Sequence, residues 1–196
     1  MKATFLERVG AYFIDMLIVS FIFSLICLGF GNNISNSEFL MEKLDTQLIE
    51  GTITTEEYLE EYKDVLYDYQ KETILQSGIS VALTIAYYVI FQYMNKGQTL
   101  GKKILKIKVV DKNTEKPITL LKCLLRTFIV YSILSGTISI LLLYIINKQY
   151  YFIAYTTLLL LEAIFTLITV MFVLYKKDGR GLHDIMANTV VIKESR

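Results

Sequence analysis

The chain has 196 residues, 54% of them hydrophobic and 20% charged, with a formal net charge of +1. That balance leaves no basic excess to neutralise phosphates, which excludes a nucleic-acid binder. Soluble domains carry about 45–50% apolar residues, so the total is only modestly high. The distribution sets the class: four long apolar runs hold few charges, and nearly all the rest lie between them. The length suits one compact domain.

A bilayer core takes about 20 mostly apolar residues as helix, because every backbone polar group must be paired within the segment. Val9–Phe30 is the first such run and contains Asp15. Lys2 and Arg8 precede it as in a signal peptide, but the run is long and no small-x-small cleavage site follows. It therefore reads as a retained first span. Gly78–Met94 is shorter but charge-free, and can continue the helix before it. Leu120–Ile146 carries Lys122 and Arg126 near its start, so its lipid-crossing part begins near Leu124. Tyr151–Tyr175 is the fourth run, interrupted by Glu162, and Asn147–Tyr150 joins it tightly to the third.

The bias of Lys and Arg between the runs sets the orientation. Asn95–Lys122 holds eight lysines against Asp111 and Glu115, and Lys176, Lys177, Arg180, Lys193 and Arg196 follow the last run. Gly31–Gln76 has three lysines against eleven acids. The expectation is an all-α membrane protein with four transmembrane helices, multi-pass in the cell membrane, with both termini cytoplasmic and residues 31–76 outside.

That outer segment reads as an acidic helical hairpin. Phe39, Leu40, Leu44 and Leu48 mark a first amphipathic helix ending at Gly51. Thr54 and Glu57 fit a capping box, and Tyr58, Tyr62, Val65 and Tyr69 follow at helical spacing. The inner loop instead alternates with period two in Leu105–Asp111, and Thr189–Lys193 has the same β-branched character. These two segments are expected to pair as a small cytoplasmic β element, with Lys112–Lys116 as the turn and Pro117 stopping the ladder. Lys102, Lys103, Lys106 and Lys108 are also placed to meet anionic lipid headgroups. Cys27 and Cys123 lack metal-ligand spacing and read as reduced packing residues.

Ionisable groups in apolar runs are costly and are functional candidates by default. Arg8 and Asp15 lie seven residues apart on one helix face, about 10 Å along the axis, so each needs partners from other segments. Asp15 can serve as structural glue or as part of an ion path. Glu162 sits mid-run, where burial would favour its protonated form; it reads as a proton- or cation-coupling group or as a hydrogen-bonded packing residue. Arg126 can snorkel outward or pair with Asp15. His183 is the single histidine, so no zinc site or Ser/His/Asp arrangement is indicated, and no metal or cofactor is expected. Asp184 can cap a helix or bind an Arg or Lys. Gly97–Lys103 is too short between its glycines for a P-loop and has no Ser or Thr after the lysine.

In Arg8–Asp15, in Gly97–Lys103 followed by Val109-Val110-Asp111, in Arg126, and in Gly181-Leu182-His183-Asp184 with Thr189-Val190-Val191, the chain resembles the RDD family of membrane proteins. That family is named for an arginine and two aspartates, and the resemblance makes Asp184 the second aspartate. It implies one domain over 1–196 with residues 31–76 as an insertion, and transport, including cation/proton exchange, for some members. Glu162 lies outside the matched motifs.

Two functions follow. The first is transport of a proton or small cation by a homo-oligomer, with Asp15, Arg126 and Glu162 forming a polar site between spans one, three and four. The second is a non-transporting scaffold or accessory subunit that docks an unidentified protein on its basic inner face or acidic outer hairpin. An enzyme is not expected, because no nucleophile–base pair or metal cluster is evident.

Overall fold

A computed structural model describes residues 1–29, 36–130, 133–176 and 178–194. Phe30, residues 31–35 of the hairpin, Tyr131 and Ser132 of the third run, and Lys177 and Arg196 of the basic tail lie outside the described residues.

Helix α1 (Phe5–Leu28) begins four residues before the apolar run, at a capping box. The Thr4 hydroxyl accepts from the Glu7 amide, and the Glu7 carboxylate accepts from the Thr4 amide at 2.8 Å. Helices α2 (Asn36–Ile49) and α3 (Thr55–Glu72) form the hairpin, turning at Gly51, whose φ of +70° suits a residue without Cβ. The expected box at Thr54 and Glu57 starts α3. Burial is not the whole of what holds α3. Tyr67 packs edge-on against Tyr151 at 5.3 Å, Tyr62 meets Phe152, and the Lys148 ammonium donates to Asp68 at 2.8 Å.

The next helix runs from α4 (Ile74–Ile85) through a π segment (Ala86–Phe91) into the short α5 (Gln92–Met94). A π segment widens the backbone turn and shifts carbonyls out of the regular ladder. The Tyr88 carbonyl accepts from the Thr127 hydroxyl at 3.4 Å, and the Cys123 thiol donates to Tyr88 and Val89. Both donors come from α7 (Leu120–Val130), so the irregular stretch is closed by a neighbouring helix.

The third apolar run is divided between α7 and α8 (Ile133–Ile145), and their axes, taken over Leu120–Phe128 and Ile133–Ile145, are inclined by 68°. The halves serve different partners: α7 packs on the π segment and on α10 (Leu182–Met186), while α8 packs on α4 and on α9 (Lys148–Tyr175). Among the described residues, α1, the segment Ile74–Met94 and α9 are each long and apolar enough to cross a membrane, and α7 with α8 qualifies as a bent pair.

Strands β1 (Ile107–Asp111) and β2 (Thr189–Lys193) pair antiparallel, with Val109 opposite Val191. Both flanks of this ribbon are covered. Lys2 bridges to Ile192, and the Ala3 amide donates to the Val191 carbonyl at 3.1 Å. Pro117 does not simply stop the ladder; it forms a single bridge to Val110 on the free side of β1, where its missing N–H is no loss. Ile107, Val109 and Val191 are essentially inaccessible and join Ala11, Val89 and Cys123 in the core. The ribbon is therefore the floor on which the helices stand.

The chain between Met94 and β1 folds back tightly. Gly97 has φ +92°, and a Cβ there would lie 2.1 Å from the Val109 carbonyl oxygen. Gly97→Ala should therefore destabilise the protein by at least about 1–3 kcal/mol through backbone strain alone, read as a lower melting temperature in detergent. A surface change such as Lys112→Ala should leave it within about 0.5 kcal/mol.

Candidate functional site

Two buried carboxylates organise the ribbon end of the bundle. Asp15 is fully buried in α1. Helix α6 (Leu100–Ile104) crosses α1 there, and its approach depends on Gly101, because a Cβ would lie 2.3 Å from the Ala11 carbonyl oxygen and 2.9 Å from the Asp15 Oδ1. The Gly101 amide donates to Oδ1 at 2.7 Å, as does the Tyr87 hydroxyl at 2.7 Å. The Thr99 hydroxyl donates to Oδ2 at 2.5 Å. Tyr87 in turn accepts from the Leu100 amide at 3.1 Å. The carboxylate thus pins α6 and the π segment to α1.

Asp184 is equally buried and lies at the third residue of α10. Its Oδ2 accepts from Arg8 of α1 at 3.1 Å and from the Gly181 amide at 3.3 Å, the latter closing the start of the helix. Its Oδ1 accepts from Arg126 of α7 and from the Thr189 hydroxyl at 3.2 Å. Burial works to raise this carboxyl, but the charges of Arg126 and Arg8 and the hydrogen bond from Thr189 outweigh it and hold it below the usual carboxylate range. His183 is itself buried, which lowers its imidazole to about 3 and leaves it neutral, with Nε2 facing Asp184 at 3.5 Å.

Lys102 lies between the two carboxylates. The reading of four headgroup-facing lysines is corrected for this residue: Lys102 is 5% exposed and donates to the Gln92 side-chain oxygen at 3.0 Å. The reason is geometric, since α6 turns one face to α1, and Gly101 and Lys102 occupy it. Lys103 and Lys106 are exposed and Lys108 is half-buried. Burial, then the charge of Arg126, lowers the Lys102 ammonium to about 7, with Asp15, Cys123 and Asp184 acting in the other direction.

Arg8, Arg126 and Asp184 are therefore gathered into one cluster. Asp15 stands in a second, bonded to hydroxyls and an amide, and Arg126 bonds Asp184. Glu162 is half-buried in α9, one turn before Thr166, and none of the bonds to the two carboxylates described above comes from it. Sequence reasoning missed Tyr87, Gln92, Thr99 and Thr189. Thr99 and Thr189 fall inside segments already singled out, whereas Tyr87 and Gln92 carried only the weak signal of polar groups in an apolar run. Among the described residues, no group of three or more His, Cys, Asp or Glu could hold a metal ion.

Apolar helices of membrane-crossing length, tied by buried acid–base clusters to a two-stranded ribbon, define a helical membrane-type protein. The model of the RDD family matches residues 2–188, nearly the whole chain, and the chain belongs to that family. Comparison with curated proteins and with solved structures finds no match.

Removing one partner of a buried ion pair leaves the other charge uncompensated, a loss of about 3–5 kcal/mol. Arg126→Met or Asp184→Asn alone should each cost that order of stability, and a double-mutant cycle should give less than the sum. Lys102 makes a separate prediction. Below about pH 7 the ammonium is charged in both folded and unfolded chains, and the folded state carries the full burial penalty. Above that, the folded state holds a neutral amine while the unfolded one still binds the proton, so unfolding takes up a proton and stability rises with pH. Lys102→Met should flatten that rise between pH 7 and 9 in thermal melts and raise stability at pH 6.

Proposed function

We propose that this RDD protein is a non-transporting membrane scaffold or accessory subunit. On this reading it is a four-span protein of the cell membrane, with its ribbon and both termini cytoplasmic. The observation that carries the reading is the saturation of both buried carboxylates. Asp15 and Asp184 are each held by at least three protein donors. A cation path needs a carboxylate that can exchange its partners, and these two act instead as structural pins. The exposed modules supply the docking surfaces: lysines 103 and 106 beside the ribbon, facing anionic headgroups or an acidic partner, and the acidic α2–α3 hairpin on the other side. The reading involves no cofactor, no catalytic step and no nucleic acid.

Proton or cation transport is retained as a second reading for one reason. Glu162 sits in α9, which is 28 residues long and highly apolar. None of the bonds described to the two pinned carboxylates involves it, and a homo-oligomer could place it at an interface.

Sodium- or potassium-driven proton flux in liposomes separates the two. The scaffold reading expects the native protein to give no flux above empty liposomes, and Glu162→Gln and Asp15→Asn to change nothing in that assay. It also expects deletion of residues 37–72 to abolish cross-linked complexes in intact cells while the ribbon end stays folded. Native flux that Glu162→Gln removes would overturn the scaffold reading and establish coupling through that carboxylate.

A further inference from the structure

Helices α1 and α9 face each other across a cavity of about 240 Å³. That is far more than the roughly 10–15 Å³ that a single water requires. Val9 and Tyr12 form the α1 wall, and Thr166, Val170 and Val173 form the α9 wall. Val9 is 45% exposed and Val170 37%, so the walls reach the outer surface of the bundle, where apolar helices would meet lipid. The opposite end is polar. Arg8, Lys102, Arg126 and His183 line it, above Ile107 and Val191 of the ribbon.

This end has more positive charge than the protein neutralises. Arg8 and Arg126 share Asp184, while Lys102 has the charge of Asp15 nearby but gives its hydrogen bond to a neutral amide, so three cations face two carboxylates. Several polar atoms there also lack protein partners. Nε and Nη2 of Arg8, Nδ1 of His183 and the Thr169 hydroxyl are buried and make no hydrogen bond. His183 and Thr169 are each more than nine-tenths buried and both line the cavity. Unpaired buried polar groups are rare in native proteins and ask for a partner. The fork of a guanidinium matches a phosphate in two parallel bonds.

We propose that this cavity binds a phosphate-headed lipid, its phosphate seated on Arg8 and Lys102 and an acyl chain leaving sideways between α1 and α9. A phosphate fits the site better than a carboxylate, because it brings more acceptor oxygens to the free donors of Arg8 and Thr169. An acyl chain accounts for the apolar walls, which a free phosphate would leave unused. The bound phosphate would return Lys102 towards its charged form, opposing the burial that now lowers it. The inference does not depend on the docking role, since a scaffold and a transporter could each hold such a lipid.

The test is native mass spectrometry of the detergent-solubilised protein with dioleoyl phosphatidate, dioleoyl phosphatidylcholine and oleate, beside thermal melts with inorganic phosphate. One phosphatidate per chain is expected, retained at least ten-fold more tightly than phosphatidylcholine or oleate. Lys102→Met should weaken that retention ten-fold or more without lowering the melting temperature of the lipid-free protein. Val173→Phe, which fills the apolar wall, should reduce lipid retention and leave any response to inorganic phosphate intact. Equal retention of phosphatidate and phosphatidylcholine, tight retention of oleate, or undiminished retention in Lys102→Met would overturn the site. A melting shift from inorganic phosphate as large as that from phosphatidate would overturn the lipid and leave a free anion as the ligand.

Discussion

The structure depends most on one carboxylate held between two arginines. Asp184 joins Arg8 near the start of the chain, Arg126 in its middle and Thr189 near its end. Placing three ions in a poorly solvated site costs several kcal/mol each unless their hydrogen bonds are nearly complete. The arrangement of α1, α7 and α10 brings four donors to the carboxylate. The ribbon follows from it, because β2 leaves α10 only two residues after its last turn. Once α10 is fixed, β2 lies against β1, and residues 1–3 cover its outer side.

Asp15 works differently. Its partners carry no charge, and two of them come from the short stretch between α5 and β1. Spacing on α1 places Arg8 and Asp15 on one face, so a single helix presents two fixed points seven residues apart. The upper one receives α6 and the π segment, the lower one α7 and α10. The π segment contributes by turning Tyr87 toward Asp15 and the Tyr88 carbonyl toward Thr127. Local helical regularity is given up there, and the bonds to neighbouring helices replace it.

Much of this was legible in the sequence, and the limits have physical causes. The pairing of 107–111 with 189–193 and the capping box at Thr54 rest on period and cap chemistry, both written locally, whereas the meeting of Arg8 with Asp184 joins residues far apart in the chain and neither segment announces it. The capping box at Thr4 was equally readable, as Thr4-Phe5-Leu6-Glu7, but was hidden beside a stronger apolar signal. Burial of Lys102 could not be read, because a lysine in a basic loop looks the same whether it faces solvent or a neighbouring helix. Its burial, with the ammonium donating to Gln92 of α5, is a tertiary fact. The division of the third apolar run is of the same kind. Composition showed a run long enough to cross a membrane, while the split shows only in the packing, α7 mainly on the π segment and α10 and α8 mainly on α4 and α9. Glu162 drew attention by its rarity in an apolar run, yet rarity carries no information on which helices will lie nearby.

The two ends of the bundle are joined by two helical routes, one through Thr73 into α4 and the π segment that carries Tyr87, the other along α9. The hairpin is fastened to α8 and α9 by Tyr67, Gln70 and Asp68, and none of these touches either carboxylate cluster. Helix α9 runs from Lys148, which binds the hairpin, to Thr169, which lines the cavity, a distance of about 30 Å at 1.5 Å per residue. A rigid helix transmits tilt and rotation but little else over that length. Movement of the hairpin would therefore reach the ribbon end along α9, at the gap between α1 and α9, as well as through the helix that carries Tyr87. The same gap is where unpaired donors and apolar walls meet, so a ligand that fills it would also resist the movement.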